Sequence, residues 1–124
     1  MSESKQTRVI AVVDDMFFAS KIKEASKSTA VELDIAMDST SLFEMLNAGD
    51  ITLIIIDLNS KRFNPIELII ELKSSKKIKN IPILGYLPHV EEGLKTNALD
   101  AGCDIVMPRS RFSREISQIL REYN

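Results

Sequence analysis

The sequence predicts an α/β fold in which helices cover both faces of a parallel five-stranded sheet. Five short apolar segments recur along the 124 residues, and segments with helical periodicity separate them. The first, third and fourth apolar segments are nearly continuous in Val, Ile and Leu, as in parallel strands buried on both faces. Strands that alternate with helices are joined by right-handed crossovers, so we expect a (βα)5 doubly wound sandwich.

The predicted strands differ in their polar content. The second, VELDIAM, alternates apolar and polar residues, so we expect it at an edge of the sheet. The other segments are more uniformly apolar. The five predicted strands comprise residues 9–13, 31–37, 51–56, 81–87 and 105–107.

Capping residues mark several ends of the predicted helices. Asn64 followed by Pro65 is typical of an N-cap and a first helical position, and predicts the start of the third helix. Gly49 and Gly102 follow the second and fourth predicted helices, at residues 40–48 and 91–101, and suit left-handed C-terminal caps. The residues expected to face the core from the first, third and fifth helices are Phe17 or Phe18, Ile22, Ala25, Ile66, Ile69, Ile70, Leu72, Phe112, Ile116, Ile119 and Leu120. The fifth helix is expected to begin near Ser110 or Ser113.

Composition limits the kinds of protein that the chain can be. A length of 124 residues with 44% apolar content supports one core, so we expect a single domain over residues 8–124 after a flexible tail at 1–7. A net charge of -2 gives no general attraction to nucleic acid or membrane, and neither partner is expected. Cys103 has no partner for an intramolecular disulfide, and no segment has the length of a signal peptide or a membrane span, so the expected location is the cytoplasm. His89 is expected to be a solvated loop residue.

Three carboxylates follow two of the predicted strands. Asp14 and Asp15 come after the first strand and Asp57 follows the third. If the strand order is 2-1-3-4-5, these strands are neighbours at the point where ligands bind in doubly wound sheets. Carboxylates there suit Mg²⁺, and one beside the metal can act as a nucleophile toward a phosphoryl group; Asp57 is the candidate. The alternative is that Asp14 or Asp15 only caps the following helix.

The segments VIAVVDD and LIIIDLNSKRFNPIELIIELK resemble the receiver domain of two-component response regulators, and the resemblance extends over residues 8–122. It implies a flavodoxin-like sheet and assigns Asp57 as the phosphorylated residue. It also implies that Asp15 binds Mg²⁺ directly, that Asp14 reaches the metal through water, and that the backbone carbonyl of Asn59 is a further metal ligand.

Several positions depart from the receiver pattern. Leu87 stands where the family has Thr or Ser, and Val106 stands where it has an aromatic switch residue. Arg109 is a candidate substitute for the family's lysine, with Pro108 before it instead of a proline after it. These departures affect the readout of phosphorylation more than its acceptor, which predicts an atypical receiver.

Two functions follow from the resemblance. The first is a stand-alone receiver that accepts a phosphoryl group on Asp57 from a histidine kinase or phosphotransfer protein, with no enzymatic activity beyond its own phosphorylation. The alternative is a pseudo-receiver that binds proteins without switching by phosphate. A phosphatase is a weaker hypothesis, because Asn59 stands where such enzymes carry a second acid. The resemblance also implies that helix four, strand five and helix five bind a downstream protein or a second copy of the chain, with Arg111, Phe112 and Arg114 as interface candidates.

Overall fold

The computed structural model describes residues 7–88 and 91–123, in which strands and helices alternate as predicted. His89 and residues 1–6 of the predicted tail lie outside the described residues, and Thr7 begins the first strand. The elements are β1 (Thr7–Val12), α1 (Met16–Ser26), β2 (Val31–Ala36), α2 (Ser39–Leu46), β3 (Ile51–Asp57), α3 (Pro65–Ser74), β4 (Ile83–Leu87), α4 (Glu92–Ala101), β5 (Ile105–Pro108) and α5 (Arg109–Glu122).

The five strands form one parallel sheet in the order β2-β1-β3-β4-β5, which confirms the predicted fold class and topology. The alternating strand β2 lies at an edge, as its polar residues predicted. Strands β1 and β3 are neighbours, so the residues that follow them meet at one end of the sheet. At that end Asp57 of β3 pairs in register with Tyr86 of β4.

Two apolar layers enclose the sheet. The first layer lies between the sheet and helices α1 and α5, and it includes Phe18, Tyr86 and Phe112. The second layer lies between the sheet and helices α2, α3 and α4, and it includes Leu58 and Leu87. Because successive residues of a strand point to opposite faces, neighbouring positions on β3 and β4 contribute to different layers.

Some local predictions need correction. Gly49 is not a left-handed cap: α2 ends at Leu46 with Asn47 as a right-handed C-cap. Among the described residues only Gly102 has a positive φ, of 118°, as predicted for the end of α4. Of the two alternatives at the start of α1, Phe18 is buried and Phe17 is 91% exposed.

Other boundaries also differ from the prediction. Helix α5 begins at Arg109, directly after β5, without a capping side chain, so the predicted start at Ser110 or Ser113 is slightly late. Cys103 is buried. Within the described ranges, no helix combines the length and the apolar content needed to cross a bilayer.

Candidate functional site

Asp15 forms the N-cap of α1. Its Oδ1 accepts hydrogen bonds from the backbone N–H groups of Phe17 (3.0 Å) and Phe18 (3.3 Å). A carboxylate at this position satisfies otherwise unpaired N–H groups and interacts favourably with the helix dipole. Asp15 therefore caps α1 through Oδ1, while its other oxygen, Oδ2, faces a cation, Arg109.

Asp57 is a buried acid at the end of β3, with 8% of its surface exposed. Its Oδ1 accepts a hydrogen bond of 2.9 Å from the backbone N–H of Asn59. Burial raises the pKa of Asp57, and the negative charges of Asp14 and Asp15 raise it further, whereas the Asn59 hydrogen bond and the charge of Arg109 lower it. The charged form of Asp57 is therefore disfavoured in the fold.

Asp14 holds the loop that follows β3. Its Oδ2 accepts a hydrogen bond of 3.0 Å from the hydroxyl of Ser60, and the Ser60 hydroxyl oxygen accepts one of 3.2 Å from the backbone N–H of Arg62. Sequence reasoning missed Ser60, because nothing local indicates that its hydroxyl meets a carboxylate 46 residues away. The contact joins the ends of β1 and β3.

Arg109, the first residue of α5, reaches the acidic end of the sheet. Its Nη1 lies 3.8 Å from Oδ2 of Asp15, and its guanidinium carbon lies 5.4 Å from the centre of the Phe18 ring. Both contacts draw Arg109 toward α1, and a guanidinium above an aromatic face is a favourable arrangement. A cation therefore lies beside the carboxylates, which the sequence alone left open, and its ion-pair partner is Asp15.

Leu87 and Val106 pack in the second apolar layer. Leu87 is 2% exposed and Val106 is partly buried. Both line a cavity of about 30 Å³, together with Lys95, Met107 and Pro108. The side chain at position 87 is thus part of the core and provides no hydroxyl to the site.

The acidic residues do not form a three-ligand metal centre. Within residues 7–88 and 91–123, no group of three His, Cys, Asp or Glu side chains has an arrangement that could hold a metal ion. The donor chemistry nevertheless suits Mg²⁺, which needs only one or two carboxylates and takes carbonyl oxygens and water as its remaining ligands. Asp14 and Asp57 each use only one carboxylate oxygen in the hydrogen bonds described above.

The predicted interface residues divide into two groups. Phe112 has no exposed surface, because it packs against Phe18 and Tyr86 in the first apolar layer. It therefore offers nothing to a partner in this conformation, and the prediction that it lies on a docking surface is wrong. Arg111 and Arg114 are exposed, and Nε of Arg111 lies 3.2 Å from a carboxylate oxygen of Glu115.

Tyr86 is a feature of the site that sequence reasoning missed. Its ring stacks on Phe112 with centroids 5.0 Å apart and planes inclined by 8°, and it lies 4.9 Å from Phe18. The side chain is fully buried, and its hydroxyl has no hydrogen-bond partner within the part of the chain that the structure describes. Nothing in the sequence indicated this arrangement, because an aromatic residue within an apolar strand is ordinarily a core residue.

An open cavity adjoins the acidic end of the sheet, between the start of α1 and the start of α5. Its volume is about 510 Å³. The residues that line it are Asp15, Phe17, Phe18, Lys21, Pro88, Arg109, Ser110 and Ser113. Asp15 and Arg109 are therefore accessible to solvent from this side, whereas Asp57 does not line the cavity.

Comparison with solved structures identifies the class of fold as that of response regulator receiver domains. The chain is similar to the chemotaxis response regulator CheY4 of Vibrio cholerae, with a TM-score of 0.83 and 16% identity over 97% of this chain and 100% of that one. It is also similar to a phosphorylated cyanobacterial phytochrome response regulator, RcpA, with a TM-score of 0.81 and 21% identity over 95% and 91% of the two chains.

A third similar structure is the receiver domain of a Pseudomonas aeruginosa sensor histidine kinase, which has a magnesium ion in its active site cleft. Here the TM-score is 0.80 and the identity is 16%, over 94% of this chain and 95% of that one. No family model and no curated protein sequence matches the chain. At these identities the comparisons establish the receiver fold, and the chemistry of the site has to be argued from this chain's own residues.

Proposed function

We propose that the protein is a signalling receiver that accepts a phosphoryl group on Asp57. The observation that carries the proposal is the placement of this carboxylate. Asp57 ends β3 at the point where the strand order reverses, where ligands bind in doubly wound sheets. The backbone N–H of Asn59 orients Oδ1, so Oδ2 is the oxygen that can attack phosphorus.

The donor is a phosphohistidine of a histidine kinase or phosphotransfer protein. Oδ2 of Asp57 forms a bond to phosphorus while the bond from phosphorus to the histidine nitrogen breaks. The nitrogen keeps the electron pair and takes up a proton, and the product is an aspartyl phosphate. Apart from the nucleophile, the protein contributes alignment and positive charge.

Arg109 would supply part of that charge. Its guanidinium already interacts with the acidic end of the sheet and lowers the pKa of Asp57. A new phosphoryl group would compete with Asp15 for this cation, and guanidinium binds phosphate oxygens in a two-pronged geometry. Mg²⁺, when bound by Asp14, Asp15, Asp57 and the carbonyl of Asn59, would neutralise further charge on the phosphoryl oxygens.

Mass spectrometry after incubation with Mg²⁺ and acetyl phosphate tests the proposal. The wild-type chain should gain one phosphoryl group, and Asp57→Asn should gain none. Asp100→Asn changes an exposed acid on α4 and serves as the matched control, which should gain the group as the wild type does. A wild-type chain that gains no mass and binds no beryllofluoride with Mg²⁺ would refute the proposal.

The second candidate function is a pseudo-receiver that binds proteins without phosphorylation. One observation favours it: Leu87 is a core residue without a hydroxyl. Asp15 is also engaged as a helix cap and as the partner of Arg109. On this hypothesis the acidic residues stabilise the ends of the elements, and neither Mg²⁺ nor a phosphodonor changes the protein.

Both candidate functions act through contacts with other proteins. We also propose that the protein is cytoplasmic, because a single cysteine fits a reducing compartment. We propose that the surface formed by α4, β5 and α5 binds a downstream partner or a second copy of the chain. Arg111 and Arg114 are exposed on this surface, whereas Phe112 is buried and is not available to a partner. Replacing both arginines with Gln should weaken capture of an acidic partner, and thermal stability should fall by no more than the ~0.5 kcal/mol of the exposed Arg111–Glu115 ion pair.

A further inference from the structure

The unpaired hydroxyl of Tyr86 lacks an explanation in the resting structure. The residue is 1% exposed, and its Oη has no hydrogen-bond partner among the described residues. A buried hydroxyl without a partner is unfavourable, and buried tyrosines usually find one. Such an atom suggests that the partner is present only in another state of the molecule.

The position of Tyr86 identifies where that partner would be. Tyr86 and Asp57 are paired in register on the parallel strands β4 and β3, so their side chains lie side by side on the same face of the sheet. Burial raises the pKa of the Tyr86 phenol, and the negative charge of Asp57 is the next largest cause. The hydroxyl therefore lies within the electric field of Asp57, without a hydrogen bond to it in this state.

Leu87, which aligns with the Thr or Ser of the receiver family, lies on the opposite face of the sheet from Tyr86. Leu87 packs in the second apolar layer, toward α2, α3 and α4, whereas Tyr86 packs in the first layer. A hydroxyl at position 86 thus occupies the face of the sheet that Asp57 shares. Leu87, which lacks the family's hydroxyl, and Tyr86, whose hydroxyl has no partner among the described residues, are thus adjacent at the end of β4.

The Tyr86 ring is held firmly. It stacks on Phe112 of α5 and contacts Phe18 of α1, with centroid distances of 5.0 and 4.9 Å. Although these two neighbouring rings restrict the Tyr86 ring, the hydroxyl hydrogen can still turn between its two in-plane orientations toward a new acceptor. Motion of the ring toward the site would also be transmitted to Phe112 and hence to α5.

We infer that the Tyr86 hydroxyl donates a hydrogen bond to the phosphoryl group on Asp57, and so supplies the contact that Leu87 cannot make. The inference rests on the proposed function. Tyr86 then contacts the phosphoryl group directly and senses the phosphorylated state, and its stacking on Phe112 connects the site to the first turn of α5.

The test compares Tyr86→Phe with Tyr123→Phe, which removes the chain's other tyrosine hydroxyl near the end of α5. Titration with beryllofluoride in the presence of Mg²⁺ measures binding at Asp57. Tyr86→Phe should bind about tenfold more weakly than wild type, as expected for the loss of a hydrogen bond to a charged group. Tyr123→Phe should bind as tightly as wild type. In chains labelled with 3-fluorotyrosine, the ¹⁹F signal of Tyr86 should shift on binding and that of Tyr123 should not.

The outcomes separate the inference from the proposed function. If wild type and Tyr86→Phe bind beryllofluoride equally tightly, the inference is wrong and the acceptor function stands. If wild type binds none, the acceptor function is wrong and the inference falls with it. Weaker binding combined with a lower melting temperature of Tyr86→Phe would assign the residue a packing role and also overturn the inference.

Discussion

Replacing Asp57 with Asn removes a buried negative charge while nearly preserving the shape of the side chain. Only 8% of Asp57 is exposed, and Asp14 and Asp15 repel its charge. The pKa of Asp57 is therefore raised above the ordinary value of 3.8, mainly by burial. We expect Asp57→Asn to be more stable than wild type at neutral pH in the absence of metal.

The size of the effect follows from two opposing terms. Each unit by which the folded pKa exceeds the unfolded pKa corresponds to about 1.4 kcal/mol lost when the group is charged. The Asn59 N–H bond to Oδ1, which lowers the pKa of Asp57 and is weaker when the acceptor is a neutral amide, opposes this stabilisation in part. The net stabilisation is expected on the order of 1 kcal/mol, or a rise in melting temperature of about 4 °C for a domain of this length.

The pH dependence gives the sign of the effect. Because the folded pKa is raised, the stability associated with Asp57 is fully present below its unfolded pKa, near 3.8, and is lost as pH rises through the folded value. Urea denaturation of both proteins should therefore show little difference at about pH 4 and the full difference at about pH 7. Glu44→Gln, which removes an exposed charge on α2, is the matched control and should change stability by less than about 0.5 kcal/mol.

A different result would refute this reasoning. If Asp57→Asn is less stable than wild type at both pH values, the hydrogen bond from Asn59 and the attraction to Arg109 outweigh burial and repulsion. A pH-independent gain would also contradict the explanation, because the charge would then not be its cause.

Three further predictions concern caps and packing. Asp15→Ala should be about 1 kcal/mol less stable than Asp15→Asn, which keeps an N-cap oxygen on α1, as measured by urea denaturation. The backbone hydrogen bond at the start of α2 lowers the pKa of Asp38. The contribution of Asp38 to folding stability is therefore present above pH 3.8 and is lost as the pH falls through the folded pKa. Asp38→Asn should remove this acid sensitivity in thermal melts. Gly85→Ala would place a Cβ within 2.7–2.9 Å of Leu58 side-chain atoms, at a cost of roughly 1–3 kcal/mol, whereas Gly93→Ala on α4 meets no atom within 4 Å and should be stabilising by calorimetry.

The sequence alone predicted the order of elements, the parallel sheet and the carboxylates at its end. These features depend on short-range patterns. Continuous apolar segments indicate buried strands, and Asn64 before Pro65 indicates the start of a helix. The position of Asp57 beside the residues after β1 followed only on the condition that the strand order is 2-1-3-4-5, which places β1 next to β3.

Only the tertiary structure decided how the side chains of the site are paired. A helical pattern indicates that Phe112 belongs on one face of α5, but its complete burial against Tyr86 depends on how α5 packs on the sheet. The pairing of Arg109 with Asp15, and the lack of a partner for the Tyr86 hydroxyl among the described residues, likewise depend on distances between elements remote in the chain. Hydrogen bonds and charge contacts act over a few ångströms, so the chemistry of this site was determined by packing that the local sequence does not encode.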